Sequence, residues 1–151
     1  MMIRKFLVSA FAVFAIAGVT VLAEDIKLDG VKCIVAPKAA SADKSAEYKD
    51  GKVFFCCGNC AGKFAADSKK FATNANMQLV ATKQYEQKTC PLTGGPLNAD
   101  TEIKVGDAKV SFCCNKCKGK VEKAEGKEQL ELVFSEKAFE NAGFAKVAAK
   151  E

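Results

Sequence analysis

Eight cysteines and no histidine stand in a chain of 151 residues. They fall at Cys33, Cys56, Cys57 and Cys60, and again at Cys90, Cys113, Cys114 and Cys117, each of the second four 57 positions after its counterpart. Thiolates attack disulfides and bind soft metal ions, so this set defines the chemistry open to the chain. The absence of histidine removes the commonest nitrogen ligand and the usual general base near neutral pH. Three or four thiolates without imidazole or carboxylate make a soft site, suited to Zn(II) or Cu(I) and unsuited to Ca²⁺ or Mg²⁺.

Within each half the order is C-x22-C-x3-C: Cys33, Cys56, Cys60, then Cys90, Cys113, Cys117. One cysteine on an early turn and two more at a strand end and first helical turn converge in space, as ligands do in small zinc-binding domains. The helix N-terminus also favours the thiolate form. These six are the candidate ligands, one ion for each set.

The elements that must position them follow from the same repeat. Coincident spacings at a fixed period mark a duplicated structural unit. Lys52-Val53 matches Lys109-Val110, and Gly62-Lys63 matches Gly119-Lys120. Thr101–Val105 and Lys109–Cys113 are β-prone runs joined by Gly106-Asp107, a tight-turn signal. Unit 1 offers Glu47–Lys49 and Lys52–Cys56 around an expected turn at Asp50-Gly51. After each Cys-Cys pair the pattern becomes helical, with Asn59 or Asn115 near the cap. Further on, "MQLVATKQYEQ" resembles "LELVFSEKAFEN" only after a gap of about four residues, judged by apolar periodicity. The expected fold class is α+β: two tandem small units, each a cysteine knuckle plus β-hairpin followed by an α-helix. Their spans are 24–86 and 87–151. Units this short bury little apolar surface alone and need a metal or disulfide staple.

Strand alternation assigns the vicinal pairs. Val53, Phe55 and Cys57 share one face, as do Val110, Phe112 and Cys114, and that face is apolar. Cys57 and Cys114 are therefore expected to begin as core residues, with a spare-ligand role as the alternative. Cys56 and Cys113 share the more mixed face with Phe54 and Ser111.

With these residues in place, "CPLTGGP" followed by "VSFCCNKC" resembles the TRASH and YHS family of small metal-handling domains. The family pattern is one cysteine, about twenty residues, then two cysteines separated by three residues after an aromatic strand. Both units fit it, over most of residues 32–71 and 89–121. The resemblance implies a treble-clef-like fold, ligation by the same six cysteines, and a role in heavy-metal trafficking, resistance or sensing beside a metal-transport or metal-resistance protein. Some relatives carry a further cysteine three positions after the first, where Ala36 and Thr93 stand here. A fourth ligand would have to be Cys57 or Cys114. Unit 1 reads "CIVAPKAA" and lacks the proline directly after the cysteine and the paired glycines of unit 2, which follows the family pattern more closely.

Two other readings use the same cysteines. An even number of cysteines in an exported chain can form a disulfide scaffold, with Cys33–Cys56 or Cys33–Cys57 as natural bridges. Cys57-Gly-Asn-Cys60 and Cys114-Asn-Lys-Cys117 are C-x-x-C entries to helices, as in thiol-disulfide redox proteins. The βαβ framework of those enzymes is absent, and an active-site dithiol would leave Cys33 and Cys90 unexplained. No catalytic constellation stands out, and the chain is read as a non-enzyme.

The first residues set the expected compartment. Arg4 and Lys5 precede an uncharged run from Phe6 to Leu22, and Val21-Leu22-Ala23 is followed by Glu24-Asp25. That is the form of a secretory signal peptide over residues 1–23. The expectation is a periplasmic or secreted protein that keeps no membrane insertion once the leader is cut. Removing Arg4 and Lys5 lowers the net charge from +5 to +3. Lysines and acids are interspersed, leaving no nucleic-acid footprint.

Overall fold

The computed structural model describes residues 26–148; the expected signal peptide lies outside the described residues. Each unit opens with a short knuckle and an antiparallel hairpin. In unit 1 the strands are β1 (Ser41–Tyr48) and β2 (Gly51–Phe55); in unit 2 they are β4 (Asn98–Val105) and β5 (Ala108–Phe112). Ser41 pairs with Phe55 and Asn98 with Phe112, and each hairpin breaks register just after that pair. Both partners are 57 positions apart, so the irregularity is duplicated with the sequence.

The unit 2 turn falls at Gly106-Asp107 as expected. The unit 1 turn does not: it lies at Lys49-Asp50, with Lys49 at φ 52° in the place of Gly106 at φ 61°. Gly51 is instead the first residue of β2, opposite Tyr48. It is glycine for space, since a Cβ there would stand 2.8 Å from both Gln84 Oε1 and Leu79 Cδ2.

The helical stretch after each Cys-Cys pair is broken rather than continuous. Unit 1 has α1 (Gly58–Ala66), a 3₁₀ turn at Lys69–Phe71, and α2 (Ala72–Ala81). Unit 2 has α3 (Asn115–Lys123), α4 (Gly126–Phe134) and a further short helix, α5 (Glu136–Asn141). Asn59 and Asn115 lie inside the first turns, and the N-cap positions belong to Cys57 and Cys114. Their backbones are extended and nearly identical, at φ −162°, ψ 165° and φ −161°, ψ 167°.

Alternation holds along β5, where Val110 and Phe112 are buried and Lys109 exposed. In β2 it is overridden: Val53, Phe54 and Phe55 are all buried, because α2 also covers the outer edge of the strand. Leaving water contributes about 2 kcal/mol for each of Phe55 and Phe112. Phe64 gathers Tyr48, Phe55 and Phe71 at ring distances of 5.6, 5.5 and 6.5 Å; Phe55 and Phe64 are core, and the half-buried Tyr48 and Phe71 pack against it.

One apolar core runs through both units, from Ile34 and Phe55 to Phe112, Phe134 and Phe144. Helix α2 is the main contact between them. Asn76 donates to the Phe134 carbonyl and to Glu136 Oε1, both at 3.0 Å. Tyr48 Oη and Lys49 Nζ donate to the same Glu136 carboxylate at 2.8 and 2.9 Å. At the unit ends, β3 (Tyr85–Glu86) pairs antiparallel with β6 (Ala145–Lys146). Gly106 lies so close to α2 that a Cβ there would collide with the Met77 sulfur. The two small antiparallel hairpins, the end-to-end pair and the packed helices make an α+β fold. No helix among the described residues is long and apolar enough to cross a membrane.

Candidate metal centres

The structure brings together Cys33, Cys56 and Cys60, and separately Cys90, Cys113 and Cys117, with each set of sulfurs within 4.8 Å of one another. Cys56 and Cys60 are 3.6 Å apart, as are Cys113 and Cys117. A metal holding thiolates at Zn–S bonds near 2.3 Å sets sulfurs about 3.8 Å apart in a tetrahedron, so both triads are sized for an ion. In each, the knuckle and helix cysteines are buried and the strand-end cysteine is half-buried. Each triad thus has one side towards water.

The knuckles close alike although their sequences differ. The Cys33 amide donates to the Lys38 carbonyl at 2.8 Å, and the Cys90 amide to the Gly95 carbonyl at 2.9 Å. Unit 2 adds a bond from the Gly94 amide to the Cys90 carbonyl, with Gly94 at φ 70°. The lack in unit 1 of a proline directly after the cysteine and of paired glycines therefore does not prevent its triad from forming.

The vicinal partners are placed against expectation. Cys57 and Cys114 are exposed, not core. The strands end at Phe55 and Phe112, and the chain then turns into the helix, so alternation stops one residue before the pair. The apolar face that β2 and β5 present does not reach Cys57 or Cys114. These two sulfurs lie beside the water-facing sides of the triads, 3.9 Å from Cys56 Sγ and 3.7 Å from Cys113 Sγ.

Clustered thiols cannot all ionise easily, and their titration splits. Burial pushes Cys60 and Cys117 up to about 12, with the neighbouring thiols adding to the rise. Burial also pushes on Cys90, but the Thr93 hydroxyl and the amides of Cys113, Leu92 and Thr93 outweigh it and bring the thiol down to about 7. At Cys33 the amides of Val35, Cys56 and Ala36 likewise overcome burial and lower the value. The Cys60 and Cys117 amides of the first helical turns lower Cys57 and Cys114. A cation entering either triad would displace protons and let all three sulfurs act as thiolates.

Thr93, which motif spacing marked only as a missing cysteine, shares a hydrogen bond of 3.3 Å with Cys113 Sγ. Ala36 occupies its place in unit 1. The lysines after each motif are surface groups: Lys63, Lys69, Lys70, Lys120 and Lys123 are exposed and Lys118 half-exposed. Comparison of the chain with family models, curated proteins and solved structures finds no match.

Proposed function

We propose that this chain is an exported soft-metal-binding protein of tandem TRASH- and YHS-like units, each treble-clef-like and each holding one Zn(II) or Cu(I) ion. The ligands are Cys33, Cys56 and Cys60 in the first unit and Cys90, Cys113 and Cys117 in the second. The single observation behind this reading is that two triads, equivalent under the repeat, each gather three sulfurs at metal-binding spacing. The protein acts without catalysis, as a carrier, buffer or sensor component in the periplasm or outside the cell, after loss of residues 1–23. Its counterpart would be a metal-transport or metal-resistance protein.

Mature chain isolated without oxygen from the exported fraction is expected to carry about two soft metal ions, one per triad. Its thiols should react with an alkylating reagent only after a chelator removes the metal. A metal-free chain with no free thiol, read by mass, would establish the disulfide scaffold instead.

A further inference from the structure

Each knuckle is tied to its strand by one glutamine side chain. Gln78, fully buried on α2, donates through Nε2 to the carbonyls of Lys32 at 2.8 Å and Phe54 at 3.0 Å. Its Oε1 accepts from the Phe54 amide at 2.6 Å. Gln87, in the segment joining the units, donates to the carbonyls of Thr89 at 2.9 Å and Ser111 at 2.7 Å. Its Oε1 accepts from the Ser111 amide at 2.9 Å.

Lys32 directly precedes Cys33, and Phe54 lies two residues before Cys56. Thr89 and Ser111 stand in the same relation to Cys90 and Cys113. The three bonds of one glutamine therefore match those of the other, atom for atom, under the 57-residue repeat. The glutamines themselves do not match. Gln78 comes from a helix after the first triad, whereas Gln87 comes three residues before Cys90. The same clamp is reached from unrelated places in the chain.

The chemistry explains why glutamine suits the position. A primary amide offers two donors and an acceptor on one rigid plane, enough to close a strand's free edge and a knuckle carbonyl together. Simple satisfaction of buried backbone groups would require only that each find some partner. Here one side chain spans both segments, so the knuckle cysteine and the strand-end cysteine are held in fixed relation. Asn74, four residues before Gln78 on α2, adds a bond of 2.9 Å to the Ile34 carbonyl on the other side of Cys33.

We propose that Gln78 and Gln87 are the positioning residues of the two metal sites, each locking knuckle to strand so that three sulfurs stand at metal spacing before the ion arrives. This rests on the metal-binding reading of the triads. Groups that orient metal ligands from outside the coordination shell typically change affinity by about 10- to 100-fold when removed.

The test uses Co(II), with Cu(I) as the second probe, on the chain without residues 1–23, reduced and free of oxygen. Cys113→Ser leaves only the first site to be read, and Cys56→Ser only the second. Gln78→Met is expected to weaken Co(II) roughly 10- to 100-fold at the first site and to alter its d–d absorption, leaving the second unchanged. Gln87→Met should do the reverse. Unchanged affinity and spectrum at the glutamine's own site would overturn the proposal. So would equal weakening of both sites by either variant, since that marks a role in the fold alone. A wild-type chain that binds neither Co(II) nor Cu(I) would overturn the metal reading itself, and this proposal with it; if Cu(I) alone binds, its affinity at each site is read against the same outcomes.

Discussion

The two units place equivalent sulfurs in equivalent positions but support them from different directions. In unit 1 the amide of Lys32, next to Cys33, donates to Asp107 Oδ2 at 2.9 Å, and Asp107 belongs to the hairpin turn of unit 2. In unit 2 the corresponding Thr89 amide donates to the Ala142 carbonyl of its own unit at 2.9 Å. The first knuckle leans on its neighbour, whereas the second is held from within. Unit 2 has the extra helix α5 to supply that contact; unit 1 ends its helix at Ala81 and borrows. Duplication thus preserved the sulfur geometry while the supports diverged, because a backbone hydrogen bond can be satisfied by any acceptor that reaches it.

The largest effect separates the members of each vicinal pair. Cys113→Ser and Cys56→Ser each remove one thiolate of three, and metal content after gel filtration should fall from about two ions to about one. Cys114→Ser and Cys57→Ser should keep both ions, since those sulfurs lie outside the triads. Equal loss from Cys114→Ser would mean that unit 2 uses four sulfurs, and would break the likeness to unit 1 if Cys57→Ser still bound two.

A smaller effect probes the borrowed support. Asp107→Ala removes the acceptor for the Lys32 amide and should weaken the first site about three- to tenfold, the scale of one net hydrogen bond. The second site should be unaffected although the substitution lies within its own unit. Chelator competition, with one site read at a time, measures both. A fall at the second site alone would reverse the direction of dependence drawn here.

The smallest concerns pH. Protons compete with metal for a thiolate, so a depressed thiol pKa lets a site keep its ion to lower pH. Thr93 helps to hold Cys90 at about 7 against burial. Thr93→Ala should raise that value and move release from the second site to higher pH by up to about one unit. The first site, with Ala36 in that place, should not move. Absorbance of the Co(II)–thiolate bands across a pH titration would show it.

Much of the candidate site was legible because cysteine spacing is local information. C-x3-C at a strand-to-helix junction puts two sulfurs one helical turn apart, and the repeat supplied the third. The choice of Cys56 and Cys113 agrees with the triads, yet its reasoning did not hold. Alternation requires strand dihedrals, and these end at Phe55 and Phe112, so Cys57 and Cys114 face water as helix caps rather than entering the core. The turn at Lys49-Asp50 was missed because Gly51 looked like a turn residue, whereas it is small to admit Leu79 and Gln84. The later resemblance between the units also weakens in three dimensions. Leu79 is fully buried and Val80 partly, but their apparent counterparts exchange roles, with Val133 fully buried and Leu132 partly.

By itself the sequence determined the duplication, the hairpin-then-helix order, the thiol content and which six cysteines come together, since all of these follow from residue type and short spacing. Only the tertiary structure decided that the units share one core, that Asp107 of one supports Cys33 of the other, and that Gln78 and Gln87 make the same clamp from unrelated positions. The reason is physical: a hydrogen-bonding partner is selected by where its atoms lie in space. Contacts such as Lys32 to Asp107, 75 residues apart, leave no periodic trace along the chain.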